Sequence, residues 1–233
     1  MTGVRLGKPY AVRELLESLC LDLPTGAALP PERELAIRFG VARETVRAAL
    51  AQLQLEGRLV RLGRSTVIAG GKITQPLRLG SYTEAMREYG IKPGREVIGC
   101  TRSRADASLA ADLGITRQDQ VIHLERVLLA DDERIGLEST YLAARRFPQF
   151  ETQFDGTSSF YAFLHDRDIV LTEAREDIET ASALPREATL LGIRAGAPML
   201  LLRRRSLDQA GDPVEVVRSV FRGDRLRLTT VLR

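Results

Sequence analysis

The stretch from Leu29 to Ile68 constrains the fold most, because two helical patterns meet there across a break at residues 40–42 and a short basic ribbon follows. The first pattern begins at Pro31, which suits the first turn of a helix, and ends at Gly40, which favours helix termination. A turn containing glycine between two short amphipathic helices is typical of a helix-turn-helix unit. The stretch therefore predicts two packed helices joined by a tight turn.

The second helix of this stretch has an apolar face and a basic face. Its apolar residues recur at steps of three and four, which is the spacing of one buried helical face: Val46, Ala49, Leu50 and Leu53. Arg43 and Arg47 are four residues apart, so their side chains lie one above the other on the opposite face. Arginines near the N-terminus of a helix, with apolar residues behind them, are typical of a helix that enters a DNA major groove. Residues 58–68 then predict two short strands around Gly63 and Arg64, which we interpret as a wing.

The segment PPERELAIRFGVARETVRAALAQLQLEGRLV, followed by GRSTV, resembles the winged helix-turn-helix of the GntR family of bacterial transcription regulators. The resemblance implies DNA contacts from the first helix, the recognition helix and the wing tip, at Arg33, Arg43, Thr45, Arg47, Gly63 and Arg64. Pro31 and Ala42 replace serines that cap the two helices in the family, and each lost cap is worth roughly 1 kcal/mol. The wing also carries Ser65 where a second glycine is common, so its reach differs from that of the family.

Charge distribution supports a contact with phosphates in the first part of the chain only. Residues 1–70 hold ten Lys/Arg and seven Asp/Glu, whereas residues 71–233 hold 24 of each. The whole net charge of +3 therefore lies in the first seventy residues, as expected if that part binds nucleic acid.

Cysteine and histidine usage gives no sign of a metal, a cofactor or a disulfide framework. Cys20 and Cys100 are too few for such a framework, and His123 and His165 are isolated in the sequence. The sequence contains no apolar run of the roughly 20 residues that a membrane helix requires, and its N-terminus lacks the apolar core of a signal peptide. We expect a cytoplasmic protein without a metal or cofactor.

Patterns after residue 70 predict a linker and then an α+β domain. Residues 69–78, AGGKITQPLR, are small, rich in glycine and interrupted by a proline, so we expect a linker at residues 71–78, between residues 1–70 and 79–233. The second domain opens with a capping box from Ser81 to Glu84, and a strand is predicted at residues 97–104. Two alternating hairpins follow, one at residues 120–142 with its turn at 131–133 and one at 198–221, with helical patterns between them. Hairpins alternating with helices predict an antiparallel sheet that is covered by helices.

Six segments of this second part resemble, in order, the UTRA effector-binding domain: SYTEAMREYG, ERVLLADDERIGLESTYL, SSFYAFL, AREDIE, ATLLGIRAGAPMLLLRR and DPVEVVRSVFRGDR. That domain defines the HutC-type branch of the GntR family and shares its fold with chorismate lyase. The resemblance covers residues 75–233 and implies an antiparallel sheet, a small-molecule pocket and a homodimer.

The resemblance also implies which residues line the pocket: Arg126, Glu138, Ser159, Tyr161, Glu215 and Phe221. The strand pattern alone favours solvated strand residues for Glu138 and Glu215. Tyr161 could equally be a core residue, and Ser159 could equally be a helix cap. Arg126 with two hydroxyls would suit a phosphate or carboxylate. Two departures weaken the case for a sugar phosphate, because Leu128 replaces a second arginine and Phe221 replaces a tyrosine. We expect the run Arg203–Arg205 to be alternating strand surface.

These observations predict a transcriptional regulator, with repression as the family's commoner role, that leaves its operator when a metabolite binds. Its partners would be duplex DNA, a small molecule that is anionic or derived from a sugar, and a second copy of the chain. One alternative is a DNA-binding regulator whose pocket is vestigial. Another is an enzyme on the chorismate-lyase-like fold, although no nucleophile and base can be paired in the sequence.

Overall fold

The computed structural model describes residues 8–24, 26–63 and 65–232. The chain divides into two compact units, of which the first comprises Met1–Ile73 with Gly223–Arg225 and the second Thr74–Arg222 with Leu226–Arg233. None of the helices within the described ranges is both long and apolar enough to cross a membrane.

The described part of the first unit contains three helices and a hairpin, of which the second and third helices and the hairpin are those that the sequence predicts. Its elements are α1 (Lys8–Leu21), α2 (Glu32–Phe39), α3 (Arg43–Leu55), β1 (Leu59–Leu62) and β2 (Ser65–Ile68). Gly40 ends α2 in the left-handed conformation, with φ of 64°. Neither Pro31 nor Ala42 provides a side-chain cap, which confirms the loss of both helix caps.

One apolar core holds these helices together. Leu16 of α1, Leu35 of α2, Val46 and Leu53 of α3, and Leu59 of β1 are all at most 1% exposed and belong to one cluster. Burial of each such side chain contributes roughly 1.5–3 kcal/mol. Because one face of α3 is fixed in this core, the opposite face is directed to solvent.

The hairpin after α3 has the pairing expected of a wing. Strands β1 and β2 are antiparallel, with Leu62 opposite Ser65, and Gly63 turns between them with φ of 58°. Ala28 forms a further β-bridge with Val67. Arg64, the other residue of the predicted wing tip, lies outside the described residues.

The second unit is an α+β domain built on a six-stranded antiparallel sheet of order β4-β5-β6-β9-β8-β7. Its strands are β4 (Pro93–Arg104), β5 (Gln120–Ala130), β6 (Glu133–Ala143), β7 (Leu171–Ser182), β8 (Pro198–Asp208) and β9 (Pro213–Arg222). A separate two-stranded sheet joins β3 (Ile73–Pro76) to β10 (Leu226–Thr229). The helices are α4 (Tyr82–Glu88), α5 (Ala107–Leu113), α6 (Phe150–Gln153), α7 (Phe160–His165) and α8 (Pro185–Leu191).

Helices cover both faces of the large sheet. Ile122 and Leu124 of β5 pack against five phenylalanines from α6, α7 and their flanking loops: Phe147, Phe150, Phe154, Phe160 and Phe163. Val127, which points to the opposite face of the same strand, packs against α8, and Val121 packs against α5. The face that carries the phenylalanine cluster also carries the polar residues described below.

Three elements differ from the expectation. Strand β3 lies inside the expected linker, β4 begins at Pro93 rather than Val97, and α6 was not predicted at all. Proline is tolerated at the first residue of a strand, so Pro93 starts β4 instead of interrupting it. The capping box is confirmed, since Ser81 Oγ accepts from Glu84 N and Glu84 Oε2 accepts from Ser81 N.

Candidate functional site

The outer face of α3 presents a pair of arginines. Arg43 and Arg47 have side chains that are 60% and 56% exposed, whereas Val46 between them is fully buried. Thr45 is partly buried on the same helix, and Arg33 is exposed in the first turn of α2. The structure therefore directs both predicted recognition arginines away from the core.

Both arginines share one carboxylate, that of Glu32 at the start of α2. Arg43 Nε lies 2.9 Å from Glu32 Oε2, and Arg47 Nη2 lies 3.0 Å from the same oxygen. Hydrogen bonds from Arg47 in particular lower the pKa of Glu32, so this carboxylate stays ionised. A shared acceptor within 3.0 Å means that the two guanidinium groups are side by side, as their spacing predicts.

The second unit contains a polar pocket on the phenylalanine-bearing face of the sheet. The space between its walls is about 610 Å³, with the open solvent at its mouth included. All six residues that the resemblance implied line this pocket: Arg126, Glu138, Ser159, Tyr161, Glu215 and Phe221. Four of them stand on the adjacent strands β5, β6 and β9, where alternate side chains point to the same face.

Arg126 and Glu138 form an ion pair in the floor of the pocket. They lie directly opposite each other in the β5–β6 pairing, and their side chains are 3% and 15% exposed. Arg126 Nε and Nη2 both donate to Glu138 Oε1, while its Nη1 donates to the carbonyls of Gly156 and Ser158. Burial alone would raise the pKa of Glu138, but the Arg126 and Arg95 charges outweigh it and lower that pKa. Glu138 is therefore a buried, ionised carboxylate and not a solvated strand residue.

Glu215 is 2% exposed and has only neutral hydrogen-bond donors. Tyr161 Oη and Ser206 Oγ each donate to its Oε1 at 2.9 Å, and Arg204 Nη1 in turn donates to Tyr161 Oη at 3.2 Å. Burial raises the pKa of Glu215 against these hydrogen bonds. Glu138 and Glu215 thus differ, because the arginine charges favour the ionised form of Glu138 whereas burial favours the protonated form of Glu215.

Ser159 and Phe221 complete the predicted set. Ser159 caps α7, since its Oγ accepts from Ala162 N at 3.4 Å, and it also lines the pocket. Phe221 is 4% exposed and takes the space beside Gly136, where a Cβ would lie 2.6 Å from its ring. A side chain at position 136 would clash with the Phe221 ring. Gly136 therefore leaves room for this ring, which makes this part of the floor apolar.

Sequence reasoning missed Arg95 and Glu176 and misplaced Arg204. Arg204 was expected on the strand surface, but its side chain is only 16% exposed, lines the pocket and pairs with Glu176 at 2.9 Å. Alternation along β8 explains the difference, because Arg203 points to the other face and pairs there with Glu179. Arg95 was missed because the predicted strand began two residues after it.

A glutamine at position 215 tests the protonation of this carboxyl group. In the folded chain the raised pKa of Glu215 costs stability as the pH rises above the ordinary glutamate value, because the unfolded chain then loses a proton more readily. Glu215→Gln keeps an acceptor for Tyr161 and Ser206 but cannot ionise. We expect the melting temperature of the variant to exceed that of the wild type by more at pH 8 than at pH 5. An equal difference at both values would mean that Glu215 ionises normally.

Two family models match the chain. The model of bacterial regulatory proteins of the gntR family matches residues 11–68, and the UTRA domain model matches residues 88–227. The chain therefore belongs to the GntR family of bacterial regulatory proteins, in the branch whose members carry a UTRA domain.

Named relatives agree with this class along nearly the whole chain. The HTH-type transcriptional repressor PhnF of Mycolicibacterium smegmatis is 44% identical over 228 residues, covering 98% of this chain and 93% of PhnF. The HTH-type transcriptional repressor NagR of Bacillus subtilis is 35% identical over 206 residues, covering 88% and 85%. The crystal structure of PhnF from Mycobacterium smegmatis gives a TM-score of 0.71, covering 95% of this chain and 99% of that structure. The chain is a DNA-binding transcriptional regulator of the repressor type, with a domain for a small-molecule effector, and not an enzyme.

Proposed function

We propose that this repressor binds a near-palindromic operator as a homodimer and leaves it when a small metabolite occupies the polar pocket. We assign residues 1–70 to DNA binding, 71–78 to the linker and 79–233 to effector binding and dimerisation. We place the protein in the cytoplasm, where its DNA target lies.

The DNA-binding part of the proposal rests on the exposed, side-by-side placement of Arg43 and Arg47 on α3. In the proposed complex their guanidinium groups are bidentate to guanines in the major groove. The residues assigned to backbone and wing contacts are Arg33, Thr45, Gly63 and Arg64. A homodimer would place two such helices in successive major grooves.

The effector-binding part of the proposal rests on the polar side chains that line the pocket and on the burial of its floor. Glu138 and Glu215 offer carboxyl groups to ligand hydroxyls, and Ser159 and Tyr161 offer hydroxyls. Arg126 shapes the floor, although its charge is matched by Glu138, and Phe221 supplies an apolar wall. Effector binding would favour a dimer arrangement whose two recognition helices no longer fit the operator, which is a population shift between two states.

The test begins with an operator selected by the full-length protein from a random duplex library. Sugar phosphates, amino sugars, carboxylates and phosphonates are then screened by thermal shift, because a ligand that binds the folded state raises the melting temperature. We expect at least one hit to lower the operator affinity of the wild type.

The screen also separates this proposal from a vestigial pocket. If stabilising ligands leave the operator affinity unchanged, or if no compound stabilises the protein, the proposed release from the operator by a metabolite is wrong. The protein would then be a DNA-binding regulator that does not respond to a ligand. Failure to select any operator would instead contradict the DNA-binding side.

A further inference from the structure

Arg95 of β4 lines the polar pocket, and within the described ranges its guanidinium group makes no ion pair or hydrogen bond with a carboxylate. Its Nη2 donates to the neutral hydroxyl of Thr83 at 3.0 Å, and its Nε is buried without an acceptor there. Its guanidinium carbon lies 5.3 Å from the centre of the Tyr82 ring. Burial, and then the nearby Arg126 charge, lower the pKa of Arg95. The Glu138 charge acts on Arg95 as well, but the Glu138 carboxylate is hydrogen-bonded to Arg126. A partly buried guanidinium without an anion of its own is costly, so its presence points to a partner from outside the chain.

The other two pocket arginines are already matched. Arg126 pairs with Glu138, and Arg204 pairs with Glu176 through two hydrogen bonds of 2.9 and 3.1 Å. Each of these pairs is electrically neutral. Neither arginine therefore offers an unbalanced charge to a ligand.

Glu215 makes no hydrogen bond with Arg95 within the described ranges. Its carboxyl group accepts from Tyr161 and Ser206, and burial raises its pKa, which favours the protonated form. Arg95 is therefore the pocket arginine that has no carboxylate acceptor. A ligand that brings one negative charge would supply that acceptor.

Arg95 also lies beside Leu128, the residue that replaces a second pocket arginine of the family. The two residues are directly opposite in the β4–β5 pairing, and opposite residues in an antiparallel pair point to the same face. Arg95 thus brings a cation from the neighbouring strand to the region where Leu128 supplies none.

We propose that Arg95 is the residue that binds the effector, and that it does so through one anionic group, either a carboxylate or a tetrahedral oxyanion. This inference rests on the proposed function, since it assumes that the pocket is the effector site. Arg126 then acts as the residue that positions Glu138, and the remaining polar groups of the pocket bind the uncharged part of the ligand.

The experiment measures the melting temperature of the full-length protein against concentration for inorganic phosphate, methylphosphonate and acetate at constant ionic strength. Ligand linkage converts each curve into an apparent Kd. We expect saturable stabilisation of the wild type by at least one of these anions. Arg95→Met should weaken that binding by about 30-fold or more, because a buried charge pair loses one partner, whereas Arg95→Lys should retain part of it.

Arg175→Met is the matched control, because Arg175 is 81% exposed on β7 and does not line the pocket. It should bind the anions as the wild type does. Arg95→Met without ligand should be at least as stable as the wild type, since it removes a partly buried charge that has no carboxylate acceptor. A purely structural role for Arg95 predicts the opposite. Equal anion binding by the wild type and Arg95→Met, or no saturable stabilisation of the wild type by any of the three, would overturn the proposal.

Operator binding separates this inference from the proposed function. Without ligand, Arg95→Met should bind the selected operator as tightly as the wild type does. Anion binding that depends on Arg95 in a protein that selects no operator would support the inference and contradict the DNA-binding proposal. If the protein selects an operator but Arg95→Met binds the anions as the wild type does, the DNA-binding proposal is supported and the inference about Arg95 is contradicted.

Discussion

Replacing either Arg43 or Arg47 by alanine is expected to cost about 1–3 kcal/mol of operator binding, which is roughly 5- to 150-fold in Kd. A bidentate arginine–guanine contact supplies this energy only when the guanidinium reaches the base edge. Both groups are more than half exposed on the outer face of α3, so this contact is open to them. Fluorescence anisotropy with labelled operator measures the loss, and substitution of the contacted base pair should relax specificity at the same position.

The Glu32 ion pairs do not stand in the way of this contact. An exposed ion pair contributes only about 0–1 kcal/mol, so exchange of the Glu32 carboxylate for DNA costs little. Arg175→Ala in the second unit removes an equally flexible, exposed arginine and should leave operator affinity unchanged. Unaltered binding by both Arg43→Ala and Arg47→Ala would contradict the assignment of α3 as the recognition helix.

Replacing Glu138 by leucine is expected to destabilise the folded chain by about 3–5 kcal/mol, because it leaves Arg126 buried without its ion-pair partner. For a chain of 150–250 residues, each kcal/mol corresponds to roughly 2–4 °C in melting temperature. The Arg126 side chain is 3% exposed, so solvent cannot replace the lost carboxylate. Thermal unfolding of the full-length protein measures the effect.

Two further variants identify the cause of that destabilisation. Arg126→Met combined with Glu138→Leu removes both charges and should recover most of the lost stability, as apolar replacements of buried ion pairs do elsewhere. Glu179→Leu removes a carboxylate whose pair with Arg203 is more than half exposed, so a change below about 1 kcal/mol is expected. Equal losses for Glu138→Leu and Glu179→Leu would mean that burial of the Arg126 pair has no energetic consequence.

Local patterns in the sequence were enough to predict the recognition helix and the hairpins. The spacing of Val46, Ala49, Leu50 and Leu53 defines a buried face, and all four residues are buried in the structure. Ser81 and Glu84 specify a helix start from neighbouring residues alone, and the capping box is confirmed. Helix α6 has four residues, too few for a periodic pattern, and its place depends on packing among distant phenylalanines.

The partners of the pocket charges depend on strand register, which the sequence reveals only in part. The predicted hairpin turn at residues 131–133 places Arg126 opposite Glu138, so this ion pair could be predicted from the sequence. Arg204 and Glu176 are opposite each other on β8 and β7. No tight turn connects these two strands, so this pairing could not be predicted from the sequence. Arg95 could be recognised only once Pro93 was known to start β4.

The position of the pocket in the sheet limits which of its walls are able to respond to an occupant. Arg126, Glu138 and Glu215 stand on β5, β6 and β9, each hydrogen-bonded to a strand on both sides. Their backbones form a rigid platform, since displacing one strand would break two ladders. The lining also includes Arg95 and Glu176 on the edge strands β4 and β7, Arg204 on β8, and the starts of α4 and α7, at Gly80–Tyr82 and Ser159–Tyr161. A bound molecule would therefore be sensed by the edge strands and the two helix starts, while the platform beneath it remains still.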